Sequence, residues 1–190
     1  NCFSESHIET LLDNFHGLLV VDEAYIDFAK QSSWLERLRQ FPNLIVTRTF
    51  SKAYGMAGLR LGVCYASEEV IAVLNRIKPP YNVNELTQQK AFQMIQNTDV
   101  LKKQVEEILT ERDLMAQQLE KINFIKEIYP TDANFILVKV DDADKRYREI
   151  LELGVVVRNR STQPLCNNSL RFTVGTPEEN KRLLKVLNSL

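Results

Sequence analysis

Chemically active side chains follow two short apolar runs near the start of the chain. Asp22 and Tyr25 come directly after the apolar run of residues 18–21, and Ser51 and Lys52 follow the next such run. Continuous apolar runs of this length are typical of strands buried on both faces of a parallel sheet. In open α/β sheets, ligands bind outside the carboxyl ends of the strands. We therefore expect these four side chains to meet at one edge of one sheet.

These residue types are the ones that a pyridoxal phosphate site requires. A lysine bonds the cofactor, a carboxylate keeps the ring nitrogen protonated, and a donor contacts the ring hydroxyl. Hydroxyl groups and an arginine bind the phosphate. The chain supplies Lys52, Asp22, Tyr25, Thr49, Ser51 and Arg60 for these roles. Each has an ordinary alternative as a cap, a solvated lysine or a surface arginine, but their combination at one edge favours the cofactor site.

Composition excludes several other classes of function. The 190 residues carry 24 basic and 25 acidic side chains, a net charge of −1, so no general attraction to nucleic acid or to an anionic membrane is expected. Cys2, Cys64 and Cys166 are widely spaced and odd in number, which predicts no disulfide framework and no metal site. Reduced thiols and the absence of a long apolar run predict a cytoplasmic protein.

The spacing of apolar residues predicts an α/β architecture, because strands alternate with helices along the first part of the chain. Predicted helices cover residues 5–16, 33–41 and 67–77, and predicted strands cover residues 18–21, 44–46 and 61–65. A long helical stretch follows, interrupted at Asn97-Thr98-Asp99. The last part has predicted strands at residues 135–138, 154–157 and 170–174, and helices at residues 144–153 and 177–190.

Sequence motifs resemble those of fold-type I pyridoxal-phosphate aminotransferases, in the form found in histidinol-phosphate aminotransferases. The segment Val21–Tyr25 is similar to their D-E-A-Y motif, and the segment Thr47–Gly62 (TRTFSKAYGMAGLRLG) is similar to their lysine-loop signature. Gly154–Arg158 and Ser169–Thr176 resemble the C-terminal part of the family. The motifs occur in family order and cover essentially the whole chain.

The resemblance implies a role for each matching residue. Lys52 would bond the cofactor and move the proton between substrate and cofactor. Asp22 would pair with the ring nitrogen, Tyr25 with the ring oxygen, and Thr49, Ser51 and Arg60 with the phosphate. Arg158 and Arg171 would bind the anionic ends of the amino donors and 2-oxo acids; surface ion pairs are their ordinary alternative. The implied reaction interconverts histidinol phosphate and 2-oxoglutarate with imidazole-acetol phosphate and glutamate, in histidine biosynthesis.

The resemblance also implies a domain division and an incomplete site. Residues 1–83 would be the C-terminal part of a large, mainly parallel cofactor domain, residues 84–122 a linking helical segment, and residues 123–190 a small α+β domain. Family members are longer and homodimeric, and their N-terminal residues complete the cofactor site. We therefore expect a C-terminal fragment that is inactive alone. Alternatives are a phosphothreonine decarboxylase, an aromatic aminotransferase, or a non-catalytic chain that keeps this scaffold.

Overall fold

A computed structural model describes all residues from Asn1 to Leu190 and divides them into two compact units. One unit is Cys2–Lys103, and the other is Gln104–Leu190 together with Asn1. The division falls inside a long helix, within the segment predicted to link two domains. The domain bounds 1–83, 84–122 and 123–190 themselves stay a prediction.

The first unit contains a three-stranded sheet with helices beside it. Its elements are α1 (Glu5–Asn14), β1 (Leu19–Asp22), β2 (Leu44–Thr49), β3 (Gly62–Tyr65), α2 (Glu68–Ile77), α3 (Glu85–Ile95) and the start of α4 (Thr98–Leu119). The strand order is β1-β2-β3, with β1 parallel and β3 antiparallel to β2. Strands alternate with helices in this unit, so the expected α/β class is confirmed.

One face of this sheet packs against α1 and the segment that follows β1. Ile8 and Leu12 of α1 form a buried cluster with Trp34, Leu44 and Val46. The predicted helix at residues 33–41 is a 3₁₀ helix, Trp34–Gln40, and the Ser33 hydroxyl caps it by accepting from the Leu35 N–H.

The prediction that β1 is buried on both faces is wrong. Its residues alternate between half-buried and exposed, and Val20 keeps 56% of its surface exposed. Leu18, at 53% exposed, lies outside the strand. The reason is that α1 and the 3₁₀ helix cover only one face of the sheet, so alternate side chains of the strand remain in solvent.

The second unit packs helices on one face of a four-stranded antiparallel sheet. The strands are β4 (Ile125–Ile128), β5 (Phe135–Val140), β6 (Arg158–Asn159) and β7 (Ser169–Thr173), in the order β4-β5-β7-β6. The helices are the rest of α4, α5 (Ala143–Glu152) and α6 (Pro177–Leu187). Their apolar side chains form the larger core with one face of β5 and β7, in which Ile136, Val138, Leu170 and Phe172 are fully buried.

Two differences from the sequence prediction concern strands of this sheet. Residues 154–157 form no strand, because Gly154, at φ +76°, and Val155 donate their N–H groups back to the last turn of α5. N–H groups that donate to the helix cannot also donate to a neighbouring strand, and β6 begins only at Arg158. The strand β4 was not predicted, since two of its four residues are charged and it lies at the sheet edge.

The helical stretch after residue 83 is interrupted where the sequence predicted. It forms α3 and α4, with a break before Thr98. The Asn84 side chain begins α3 by accepting from the Thr87 N–H at 2.9 Å. No helix of the structure combines the length and the apolar stretch that crossing a membrane requires.

Candidate functional site

The candidate site begins at the edge of the sheet where β1 and β2 both end. Because these strands are parallel, Asp22 lies beside Thr47, and the Thr47 hydroxyl donates to Asp22 Oδ1 at 3.3 Å. The Ala24 N–H donates to the same oxygen at 3.1 Å. The Asp22 carboxylate is exposed, so it is held in place by two donors while its charge faces solvent. A carboxylate in this position can pair with a cation from outside the sheet.

Lys52 lies beside the turn that follows β1. Its Nζ is 5.0 Å from the centroid of the Tyr25 ring, within the range of a cation–π contact. Both side chains are half-buried, and Lys52 forms no salt bridge. The amine is therefore held by an aromatic face rather than by a carboxylate, which leaves its hydrogen-bonding capacity unused.

Thr49 and Ser51 continue from the end of β2. The Thr49 hydroxyl accepts from the Ser51 N–H at 3.1 Å and donates to the Leu61 carbonyl at 3.4 Å. The second bond ties this turn to the residue next to Arg60. Thr49 and Ser51 are half-buried and place two hydroxyl groups at the same edge as Asp22.

Arg60 ends a short 3₁₀ helix, Ala57–Leu59, in a left-handed backbone conformation with φ of 50°. This conformation is uncommon for a residue with a side chain. Its exposed guanidinium donates from Nη1 to the Ala57 carbonyl at 3.0 Å. A Cβ atom placed at Gly55 or Gly58 would meet no atom within 4 Å, so the loop before Arg60 is open on these sides.

Buried polar contacts support the turn that carries Asp22 and Tyr25. The Glu23 carboxylate is buried and accepts from the Ser33 hydroxyl at 2.5 Å and from the Trp34 N–H at 2.6 Å. Asp27 forms a salt bridge with Arg48 of β2. These contacts fix the turn to the 3₁₀ helix and to the neighbouring strand.

The loop after Lys52 is also fixed by side-chain contacts. Tyr54 packs on Phe50 with the ring centroids 4.9 Å apart. Burial, followed by the nearby Asp27 carboxylate, raises the pKa of Tyr54 above its usual value of 10.0. The phenol therefore remains neutral at physiological pH, and its ring packs on Phe50.

Arg158 and Arg171 lie in the other unit, on neighbouring strands. They are direct cross-strand partners between β6 and β7. The Arg171 guanidinium lies 4.8 Å from the centroid of the Phe135 ring, and its buried Nε has no hydrogen-bond partner. Neither arginine forms a salt bridge. The predicted alternative of surface ion pairs is therefore not observed for either residue.

The structure thus places the predicted residues in two groups. Asp22, Tyr25 and Lys52 lie within one sheet edge with Thr49 and Ser51, while Arg60 stands on the loop tied to Thr49 through Leu61. Sequence reasoning missed Glu23, Thr47 and Phe135 as supporting residues. Of these three, only Thr47 could have been found from the sequence. Aligning the two predicted parallel strands places Thr47 beside Asp22.

Comparison with known proteins places the chain in a family. Residues 2–187 match the model of the aminotransferase class I and II family. The chain belongs to this family. The match covers both units, so the membership includes the Lys52 loop and the paired arginines alike.

The similar proteins include a histidinol-phosphate aminotransferase from Flavobacterium johnsoniae, 56% identical over 190 residues, which is 100% of this chain and 54% of the relative. The chain spans about half the length of the curated relatives it matches.

Solved structures share the fold. The histidinol-phosphate aminotransferase from Clostridium acetobutylicum matches with a TM-score of 0.92 at 24% identity, over 98% of this chain and 59% of that one. The enzyme of the same name from Sinorhizobium meliloti, solved with pyridoxal-5'-phosphate, matches with a TM-score of 0.79 at 26% identity, over 90% of this chain and 48% of that one. The fold is that of the pyridoxal-phosphate aminotransferases.

Proposed function

We propose that these residues form the lysine-bearing part of a pyridoxal-phosphate-dependent histidinol-phosphate aminotransferase. The enzyme would transfer an amino group between histidinol phosphate and 2-oxoglutarate, giving imidazole-acetol phosphate and glutamate in histidine biosynthesis. The observation that carries the proposal is 56% identity across the entire chain to a relative of that name. The resemblance also implies a cytoplasmic homodimer, which we include in the proposal.

The residues at the sheet edge fit the cofactor. A carboxylate for the ring nitrogen must be exposed at the edge, as Asp22 is, and it already has donors that hold it in place. A lysine that bonds the cofactor must not be engaged by a carboxylate, and Lys52 meets this condition. The open space beside Gly55 and Gly58 leaves the backbone of the loop accessible to a ligand.

Each side chain of this edge then has one task. Bound pyridoxal phosphate supplies an electron sink for the charge that develops on the substrate carbon. The Lys52 amine would hold the cofactor and would move the proton at that carbon. Asp22 keeps the proton on the ring nitrogen, and Tyr25 donates to the ring oxygen. Thr49, Ser51 and Arg60 hold the phosphate group.

The paired arginines of the second unit suit the substrate anions. One amino donor carries a phosphate and the other, glutamate, carries carboxylates, and a planar guanidinium binds either group through two parallel N–H donors. Arg158 and Arg171 are opposite each other and lack carboxylate partners, so their N–H groups remain available to a ligand. The two arginines can therefore bind each of the two amino-donor substrates in turn, as a ping-pong reaction requires.

The test measures amino transfer by a protein that has the full length of the relatives and contains these 190 residues. We expect turnover of histidinol phosphate with 2-oxoglutarate, and a loss of at least about 10²–10⁴-fold in kcat for Lys52→Ala, since the proton-transfer group is removed. Lys78→Ala, an exposed lysine after α2, is the matched control and should keep full activity.

Two outcomes would contradict the proposal. Turnover only of phosphothreonine by decarboxylation, or only of aromatic amino acids, would assign the chain to a related enzyme. Absence of any turnover together with absence of cofactor binding would indicate a non-catalytic use of the scaffold.

A further inference from the structure

A third arginine continues the strand that carries Arg158. The N–H of Arg160 donates to the Ser169 carbonyl at 2.9 Å, so pairing between β6 and β7 extends one residue beyond Asn159. Alternate residues of a strand share a face. Arg158 and Arg160 therefore both lie on the face of the sheet that carries Arg171.

The backbone places the three arginines near one another on this face, and the Arg171 guanidinium stands over the Phe135 ring of β5, on the other side of β7. Same-face neighbours along a strand are about 6.8 Å apart at Cα, and diagonal cross-strand neighbours are about 7–8 Å apart. Arg160 has these relations to Arg158 and to Arg171 respectively. For all three guanidinium groups to contact one ligand, the flexible Arg171 side chain turns from the Phe135 ring toward β6.

No acidic side chain neutralises this cluster. The connection of residues 161–168, STQPLCNN, contains no Asp or Glu, and none of the three arginines forms a salt bridge. By contrast, Lys139 on the same face of the sheet has an acidic residue, Glu127, as its cross-strand neighbour. The Asp144 carboxylate accepts from the Asn159 side chain. Asn159 lies between Arg158 and Arg160 in the chain, so its side chain is on the opposite face of the strand.

Unneutralised cations opposite one another disfavour the strand pairing unless an anion joins them. Arg171 lies opposite Arg158, and its buried Nε has an unused donor. Arg160 is half-buried without an ion pair. The arrangement therefore suits a ligand with more than one negative charge and more than two acceptor oxygens.

We propose that Arg160 is a specificity-determining residue that completes a three-arginine site for the phosphate monoester of the amino donor. This inference rests on the proposed function and deepens it. A phosphate monoester has close to two negative charges and three acceptor oxygens, whereas a carboxylate has one charge and two oxygens. Two arginines satisfy a carboxylate, so the third favours the phosphate-bearing substrate over glutamate.

The kinetic test uses the full-length enzyme with Arg160→Gln. We expect the KM for histidinol phosphate to rise about tenfold, as loss of one charge-assisted contact predicts. The KM for glutamate should rise less than about threefold. Arg160→Lys should recover part of the loss because it keeps the charge without the planar fork. Arg148→Gln, an exposed arginine of α5 with no ion pair, is the matched control and should change neither KM. Equal changes for both substrates, or no change, would overturn the inference.

A binding test separates this inference from the proposed function. Inorganic phosphate is titrated into the 190-residue chain by calorimetry, with acetate as the carboxylate probe. Tighter binding of phosphate than of acetate, weakened about tenfold by Arg160→Gln and not by Arg148→Gln, would support the three-arginine site even if histidinol phosphate is not turned over. If histidinol phosphate is turned over but Arg160→Gln does not weaken phosphate binding, the role of Arg160 is contradicted and the proposed aminotransferase function is not.

Discussion

The contacts of Lys52 restrict the position of its amine without engaging its hydrogen-bond donors. An amine held by a carboxylate would have its donors engaged, whereas the Tyr25 ring restricts the position of Nζ without forming a hydrogen bond to it. Asp22 is prepared in a complementary way, by two donors that orient its carboxylate while it remains exposed. Each of the two charged groups is thus positioned without being neutralised.

Glu23 joins the Asp22–Tyr25 turn to the 3₁₀ helix through two hydrogen bonds. Its buried carboxylate accepts from Ser33 and from the Trp34 N–H. Replacement by alanine leaves both donors without an acceptor in a buried place, so we expect Glu23→Ala to lower the free energy of unfolding by about 2–3 kcal/mol. Urea unfolding followed by the fluorescence of Trp34, the one tryptophan of the chain, measures this directly.

The control for Glu23 is another glutamate of the same region. Glu36 lies in the 3₁₀ helix, is exposed and accepts no hydrogen bond. Glu36→Ala should change the stability by less than about 0.5 kcal/mol. A similar small change for Glu23→Ala would show that its buried contacts do not hold the turn.

The residue types of the site were more accessible from sequence than their contacts. Asp22 and Lys52 follow apolar runs, and that position alone predicts the edge of a sheet. The partners of Glu23 lie 10 and 11 residues further along the chain, in a 3₁₀ helix whose path no local pattern specifies. The pairing of Arg158 with Arg171 depends on strand register, which a two-residue strand does not determine.

At the scale of elements, the reliable predictions concern those that a single local pattern determines. The break before α4 follows from polar residues at its start, and α6 begins at a capping box formed by Thr176 and Glu179. The strand predicted at residues 154–157 failed because the end of α5 uses the same backbone donors. The apolar residues of this segment correctly indicate burial, since Val157 is in the core. They do not determine whether the backbone of the segment pairs with a strand.

An ion pair at the junction of β5 and α5 predicts a dependence of stability on pH. Hydrogen bonds from Arg146 at 2.7 and 3.0 Å hold the pKa of Asp141 at about 2, below its usual 3.8. A carboxyl group with a lower pKa in the folded state stabilises fully above its unfolded pKa. This contribution should be lost as the pH falls from about 4 to about 2, since the unfolded chain takes up the proton first.

The measurement is urea unfolding followed by circular dichroism at a series of acidic pH values. Asp141→Asn removes the titrating group, so its stability should fall less steeply over this interval than that of the parent chain. Glu120→Gln, at an exposed glutamate without a partner, should follow the parent. Identical acid dependence of Asp141→Asn and the parent would show that the Arg146 contact does not lower the pKa.

At the scale of the molecule, the first unit leaves large apolar side chains uncovered. Val20 and Tyr65 are exposed on the sheet, and α2, which has no buried residue, exposes Val73 and Ile77. Sheets of α/β domains usually have both faces covered. This exposure accords with a chain that spans about half the length of its relatives, and it explains why an apolar strand pattern overestimated the burial of β1.

The α/β class could be predicted because strands alternate with helices along the first unit. The burial of each face could not, since it depends on which elements pack there and not on the strand's own residues. The direction of β3 is a similar case: antiparallel pairing to β2 follows from the path of the Lys52 loop, which periodicity does not report.

We propose that Lys52 is the residue that bonds pyridoxal phosphate. The most direct measurement is borohydride reduction of the full-length protein loaded with the cofactor, followed by peptide mapping by mass spectrometry. We expect one stoichiometric adduct on the peptide that carries Lys52, its absence from Lys52→Ala, and little adduct on the 190-residue chain alone. An adduct on another lysine, or stoichiometric labelling that persists in Lys52→Ala, would contradict it.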